Sequence, residues 1–178
     1  MDDCIEAVAV RNLFLAPANL DLAGAEIELV PAFSREMRLK NALNKIKDDY
    51  DLVFIDCPPS LGLLTVNALA AADGILIPVQ CEYLALEGVS ELVETLYRVR
   101  ASLNPDLELE GVLLTMFDER TNLSKQVVAD IKGFFKDRVY RTIVPRNVRL
   151  GEAPSFGKPI MLYDIRSKGS ESYLNLAR

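Results

Sequence analysis

The sequence predicts an α/β fold: a mostly parallel sheet with helices on both faces, built as one domain. Three observations carry this. Strand-length apolar runs alternate with segments whose apolar residues recur every three or four positions. The 178 residues are half hydrophobic, enough for a sizeable core. Several of the strand-length runs end in polar residues, and the carboxyl ends of parallel strands are where such sheets hold ligands.

The elements follow in order. The first ten residues carry no clear signal. Leu13 to Ala16 reads as a short buried strand stopped by Pro17. Leu22 to Val30 is helical in pattern. After Ser34, an expected N-cap, Met37, Leu39, Ala42, Leu43 and Ile46 keep one helical face apolar. Asp51-Leu52-Val53-Phe54-Ile55-Asp56 is an expected strand that delivers a carboxylate to its far end. Cys57-Pro58-Pro59-Ser60-Leu61-Gly62 then turns the chain before a helix from about Leu63 to Ala72. The alternation continues through strand 75–79, a helix from about Glu87 to Leu103 closed by Asn104-Pro105, and strand 111–117. A helix from about Ser124 to Phe135 and strand Tyr140 to Val144 come next. Arg146 to Lys158 reads as a polar loop, Ile160 to Tyr163 as a last short strand, and a helix is expected from near Ser170.

Composition narrows the chemistry. The chain has no histidine, which removes Ser-His-Asp and Cys-His catalysis and histidine metal sites. What is left is carboxylates, Lys and Arg, backbone amides and metal, a set suited to phosphoryl transfer. Cys4, Cys57 and Cys81 are too few and too scattered for a zinc cluster, and their odd number argues against a disulfide scaffold. The most apolar region, Ala68 to Val79, is short and broken by Asp73, and no basic-then-apolar leader opens the chain. A cytoplasmic protein without stable membrane association is expected. The net charge is −6, yet from Lys136 to Arg178 nine Lys/Arg meet four Asp/Glu, against eleven and twenty-two elsewhere. The last quarter can therefore offer one basic face to phosphate, unless its arginines merely form a solvated surface.

Polar groups gather at the strand ends: Asp56, Gln80, Asp118 with Arg120, and the rigid turn Pro145-Arg146-Asn147. A strand-end acid such as Asp56 can hold the water shell of a magnesium ion on nucleotide phosphates, or simply cap a turn. Four such ends together favour a ligand site.

On these residues the chain resembles the ParA/Soj family of chromosome- and plasmid-partitioning ATPases, relatives of MinD. The resemblance runs over almost the whole chain. It is carried by Pro17-Ala18-Asn19 with Leu22-Ala23-Gly24-Ala25-Glu26, Asp56-Cys57-Pro58-Pro59, Gln80-Cys81-Glu82-Tyr83 and Leu86-Glu87-Gly88. Further matches are Thr115-Met116-Phe117-Asp118 with Arg120-Thr121-Asn122, Pro145-Arg146-Asn147-Val148-Arg149 with Glu152-Ala153-Pro154, and Tyr163-Asp164 with Ser167-Lys168-Gly169.

The resemblance implies a P-loop NTPase-like fold with ATP and Mg²⁺ as cofactors. It implies that Asp56 is the Walker B acid acting on Mg²⁺ through water, and that Pro58-Pro59 lies where the γ-phosphate is sensed. Pro145 and Asn147, with Met116 and Asp118, match loops that hold the adenine. Arg120 and Arg149 match arginines that grip non-specific DNA. The implied partners are a ParB-type protein, DNA and a second copy in an ATP-dependent homodimer, with the protein associated with the nucleoid.

The departure from the family is at the N-terminus. The family begins with a strand, a Gly-rich loop bearing a lysine, a helix and a second strand, and nothing in these residues matches them. Gly157-Lys158 lies in another loop and lacks the preceding glycines. The expectation is a single ParA-like domain over 1–178, truncated at its N-terminus, with its last helix cut short. In the family the two missing strands flank the strand ending at Asp56, so that strand is expected to lack hydrogen-bonded neighbours here. Alone, the chain is expected to be inactive. Competing readings are a non-catalytic ParA-like binding remnant, a MinD-like cell-division-site ATPase and a receiver domain phosphorylated on Asp56. The last lacks an acidic pair after the first strand.

Overall fold

The computed structural model describes residues 4–58, 60, 62–83 and 85–178, the side chains of 85–87 excepted. The expectations placed on Pro59 and on the side chains of Leu86 and Glu87 lie outside the described residues. The chain forms two compact units. One comprises Met1–Asp73 and Glu94–Leu107, the other Gly74–Val93 and Glu108–Arg178.

In the first unit, β1 (Glu6–Ala7) and β2 (Phe14–Leu15) pair antiparallel, Glu6 opposite Leu15 and Ala7 opposite Phe14. Asn12 takes a left-handed conformation (φ 59°) in the turn between them, a region asparagine tolerates. The apolar run at Leu13 is therefore not the buried strand expected from sequence. With a two-residue partner and no second neighbour, Leu13, Phe14 and Leu15 stand about half exposed.

Helix α1 (Asp21–Leu29) begins with Asn19 Oδ1 accepting the Asp21 N–H at 3.0 Å. A 3₁₀ turn over Arg35–Met37 leads into α2 (Arg38–Leu43). Ser34 does not cap it. Its backbone is left-handed (φ 50°) and its side chain makes no cap bond. Helix α3 (Leu63–Ala71) is secured by two buried asparagines. Asn67 accepts the Leu39 N–H at 3.1 Å and donates to the carbonyls of Arg35 and Leu63 at 2.8 and 3.0 Å. Asn104 donates to the carbonyls of Leu69 and Ala72 at 3.0 and 2.7 Å, which satisfies the helix's last turn.

The Asp51–Asp56 stretch is not a strand. Leu52, Val53 and Phe54 are exposed, two of them by more than three-quarters. The composition is that of a buried parallel strand. Without ladder partners among the described residues, neither the backbone pairing nor the apolar burial that such a run needs is supplied.

The second unit holds a three-stranded parallel sheet in the order β3 (Gly74–Gln80), β4 (Glu108–Phe117), β5 (Val139–Pro145). The first half of α4 (Ala85–Ser102) and α5 (Asn122–Phe135) cover one face. Val89, Val127, Ile131 and Phe135 pack there with Ile77, Val79, Val112 and Leu114. Side chains alternate between faces along a strand, so Leu113 and Val144, both buried, point the other way, whereas Leu76 on β3 is 39% exposed. Gly111 allows the Tyr140 ring to approach: a Cβ there would lie 2.5 Å from the ring and 3.1 Å from the Arg138 carbonyl.

Beyond β5 the sequence expectation needs two corrections. The expected loop at 146–158 contains α6 (Val148–Glu152) and a 3₁₀ turn over Ala153–Phe156, closed by Gly157 at φ 61°. The expected strand Ile160–Tyr163 is a helical turn, α7. The Pro159 carbonyl accepts the N–H groups of Leu162 and Tyr163 at 2.9 and 3.0 Å. Four apolar residues following a proline fix too little to choose strand over helix, and local hydrogen bonds decide. Helix α8 (Lys168–Leu176), capped by Ser167 through the Ser170 N–H at 3.1 Å, packs against β5. Among the described residues, no helix is long and apolar enough to cross a membrane.

Candidate functional site

The carboxyl ends of β3, β4 and β5 are stitched together beyond the strands. Cys81 N–H donates to the Thr115 carbonyl at 2.9 Å, and Arg146 N–H to the Phe117 carbonyl at 2.8 Å. Between these stitches the buried Ser124 hydroxyl donates to the Cys81 carbonyl at 3.1 Å and accepts the Asp118 N–H at 3.4 Å. The start of α5 is thereby joined to both strand ends. Its N-cap is Thr121, whose hydroxyl accepts the Ser124 N–H at 3.3 Å, three residues earlier than the helix start read from sequence.

An open cleft of about 640 Å³ lies at this edge. Its apolar lining includes Tyr83, Met116 and Leu123, and its charged lining Glu82, Asp118 and Arg146. That size and that mix of flat apolar surface with a few convergent polar groups suit a small ligand. Met116 is shaped for the position at some cost. Its φ is +54° inside a strand, where β4 spends three residues (114 to 117) against two on β5 (143 to 145). Such a bulge re-aims a side chain, and a non-glycine residue held there stores roughly 1–3 kcal/mol.

The charged groups are held in pairs. Arg146 forms an ion pair with Glu82, linking the loops after β5 and β3. Arg120 embraces Asp118 from two nitrogens, Nε to Oδ1 at 2.9 Å and Nη2 to Oδ2 at 2.7 Å, while its own N–H donates to Oδ1 at 3.0 Å. The Arg120 guanidinium, then its N–H, with a smaller contribution from the Arg146 charge, hold the Asp118 carboxyl down at about 2. Asp118 is thus an anion at any ordinary pH.

Pro145 ends β5, and Asn147 caps α6 by accepting the Arg149 N–H at 2.9 Å. Both flank Arg146 in the chain. Arg149 lies on α6, where its Nη1 meets Glu152 at 2.8 Å and its Nε approaches Asp164 at 3.5 Å. Glu152 also accepts the Tyr163 hydroxyl at 3.1 Å. The Arg149 bond, then the tyrosine, lowers the Glu152 carboxyl below its usual range. Tyr163 in turn stacks on Phe156, ring centroids 5.1 Å apart.

Asp56 and Pro58 belong to the first unit, and both are exposed. Among the described residues no group of three or more His, Cys, Asp or Glu could hold a metal ion. A single carboxylate is compatible with Mg²⁺, which keeps most of its water and is held through one or two acids and substrate phosphates. The cleft residues fit the base of a nucleotide, whereas no Gly-rich lysine loop for its phosphates occurs in these 178 residues.

Met116 and Asp118 are therefore the sequence-predicted site residues that the fold brings into one cleft. Glu82, Tyr83, Arg146 and the structural Ser124 were not among the site residues named from sequence. Arg146 nevertheless stands in the strand-end turn counted from sequence, and Glu82 and Tyr83 lie in a stretch that carries the family resemblance, whereas Ser124 is marked only as a helix start.

Residues 1–109 match a family model described as an AAA domain. Over 176 residues the chain is 62% identical to the sporulation initiation inhibitor protein Soj of Bacillus subtilis, spanning 99% of this chain and 70% of that protein. The chain belongs to the ParA/Soj family of chromosome-partitioning ATPases. The chromosome partitioning protein ParA of Myxococcus xanthus is 58% identical over 178 residues, which cover 63% of its length. Among solved structures, cobyrinic acid a,c-diamide synthase of Mycobacterium smegmatis, with bound ADP and magnesium, is 38% identical. It superposes with a TM-score of 0.82 over 99% of this chain and 64% of its own. The P-loop ATPase type of fold expected of a ParA/Soj member is thus the fold observed, and the chain covers between 63% and 70% of the lengths of the two partitioning relatives.

Proposed function

We propose that this chain is part of an ATPase of chromosome or plasmid partitioning that binds ATP with Mg²⁺ and holds DNA without reading its sequence. It acts as an ATP-dependent homodimer answering to a ParB-type partner. The observation that carries the nucleotide part is the cleft at the carboxyl edge of β3, β4 and β5, lined by Tyr83, Met116, Asp118 and Arg146. Tyr83 and Met116 offer the flat apolar surface a purine base needs, and Asp118 offers an acceptor for its edge, while Asn147, next in the chain to the cleft residue Arg146, is assigned to the same base-holding loop. Pro145 stiffens the turn that carries Asn147. ADP and magnesium in the solved relative support the same ligand class here.

Asp56 is assigned to the Mg²⁺ water shell, and Pro58 to the segment facing the terminal phosphate. The metal would supply charge neutralisation at the phosphates when bound. Arg120, exposed after β4, and Arg149, exposed in the locally cationic last quarter, are assigned to DNA phosphate.

These residues lack the lysine-bearing phosphate loop, so the purified 178-residue chain is expected to bind ATP weakly and not to turn it over. Phosphate release from ATP and Mg²⁺ is the test. Turnover that disappears in Asp56→Ala would overturn this assignment of labour.

A further inference from the structure

Arg120 is not idle on the surface. Its guanidinium is 81% exposed, yet three of its donors converge on one carboxylate, that of Asp118, itself only 17% exposed. Asp118 is fixed from behind as well. Its N–H donates to the Ser124 hydroxyl, and its carbonyl accepts the Thr121 N–H and hydroxyl, both at 3.2 Å. A carboxylate and a phosphate use a guanidinium in the same way, through two parallel N–H···O bonds. An arginine already forked onto one is unavailable to the other.

We propose that Asp118 is an internal anion that occupies Arg120, so that DNA phosphate engages this arginine only by displacing the carboxylate. The proposal rests on the DNA reading of the preceding section and adds a restraint to it. Because Asp118 also lines the cleft, the same carboxylate joins the arginine to the ligand site. The fork is exposed on the arginine's side, so phosphate can approach before the pair opens, and no larger movement is required.

The test is fluorescence anisotropy of a labelled random-sequence DNA duplex with the full chain at fixed low salt, where the exposed arginines are expected to give weak but measurable binding without the ATP-dependent dimer. Exposed ion pairs are weak, so Asp118→Asn is expected to tighten binding by about two- to fivefold, with Asp118→Ser moving in the same direction. Glu119→Gln removes the same charge one residue away without touching the fork, and is expected to have a smaller effect. In an Arg120→Ala background, Asp118→Asn is expected to do no more than Glu119→Gln. If Asp118→Asn and Asp118→Ser gain no more than Glu119→Gln, or gain as much without Arg120, the restraint does not exist. If Arg120→Ala weakens binding but removing Asp118 does not strengthen it, this inference fails and the DNA reading stands. If the wild-type chain does not bind the duplex, or Arg120→Ala leaves binding unchanged, the DNA reading fails and the restraint with it.

Discussion

Replacing Ser124 with alanine isolates what holds the cleft together. The hydroxyl is buried, donates to the Cys81 carbonyl at 3.1 Å and accepts the Asp118 N–H at 3.4 Å. The first bond is of ordinary length and the second is long. Alanine leaves no space problem, but it strands a carbonyl beside a residue that is 1% exposed and loosens an amide at the mouth of the cleft. One orphaned buried group costs about 1–3 kcal/mol, and the weaker bond adds a few tenths, so a loss of roughly 2 kcal/mol is expected. With a urea slope of about 2 kcal/mol/M, the unfolding midpoint should fall by about 1 M. Amide hydrogen exchange supplies the local readout. The Asp118 amide should exchange roughly 30-fold faster, because about 1.4 kcal/mol corresponds to a factor of ten. An unchanged midpoint together with unchanged Asp118 exchange would refute the claim that Ser124 joins these strand ends.

Three further outcomes follow from particular residues. At Met116, with φ at +54°, the usual preference for alanine over glycine in a strand should reverse, and Met116→Gly should be more stable than Met116→Ala by about 1 kcal/mol in urea denaturation. Asp118 should titrate at about 2 by carboxyl ¹³C NMR and return towards 3.8 in Arg120→Ala. Its folded-state value is depressed, so whatever the fork adds to stability is present above the unfolded value near 3.8 and is lost as pH falls from there through 2. In the first unit, Asn67→Ala removes three hydrogen bonds of a residue that is 4% exposed. It should lower the thermal midpoint, with a loss of roughly 2–3 kcal/mol.

The sequence was most legible where an element needs nothing beyond its neighbours in the second unit. The strands at 75–79, 111–117 and 140–144, and the helices between them, lie where their apolar patterns put them, and each boundary moved by at most three residues. It was least legible where a pattern states a need that the described residues do not meet. Leu52, Val53 and Phe54 have the composition of an interior strand, and Phe14 and Leu15 that of a buried one. Both runs remain substantially exposed, because burial requires partners and not only apolar side chains. Ile160–Tyr163 reads as a short strand, but four apolar residues are too few to fix that choice, and hydrogen bonds to the Pro159 carbonyl make it a helical turn.

The site divides in the same way. Met116 and Asp118 were visible as strand-end residues. The left-handed backbone of Met116 was not, since no glycine or asparagine marks it. The Glu82–Arg146 pair joins residues 64 positions apart, a separation at which local pattern carries no information. From sequence, Arg120 and Arg149 are cations expected to meet DNA. The structure adds that each already holds a carboxylate, Asp118 in one case and Glu152 in the other.

The methyl group of Met116 reports directly on the cleft. In chain labelled with ¹³C at its four methionine methyls, with Met116 assigned by Met116→Leu, ATP added at millimolar concentration should shift the Met116 resonance saturably. The shift should persist in Asp56→Ala and weaken in Tyr83→Ala. A Met116 signal that stays in place while ATP binds elsewhere, or that shows no saturable response at any concentration reached, would contradict the assignment of this edge to the nucleotide.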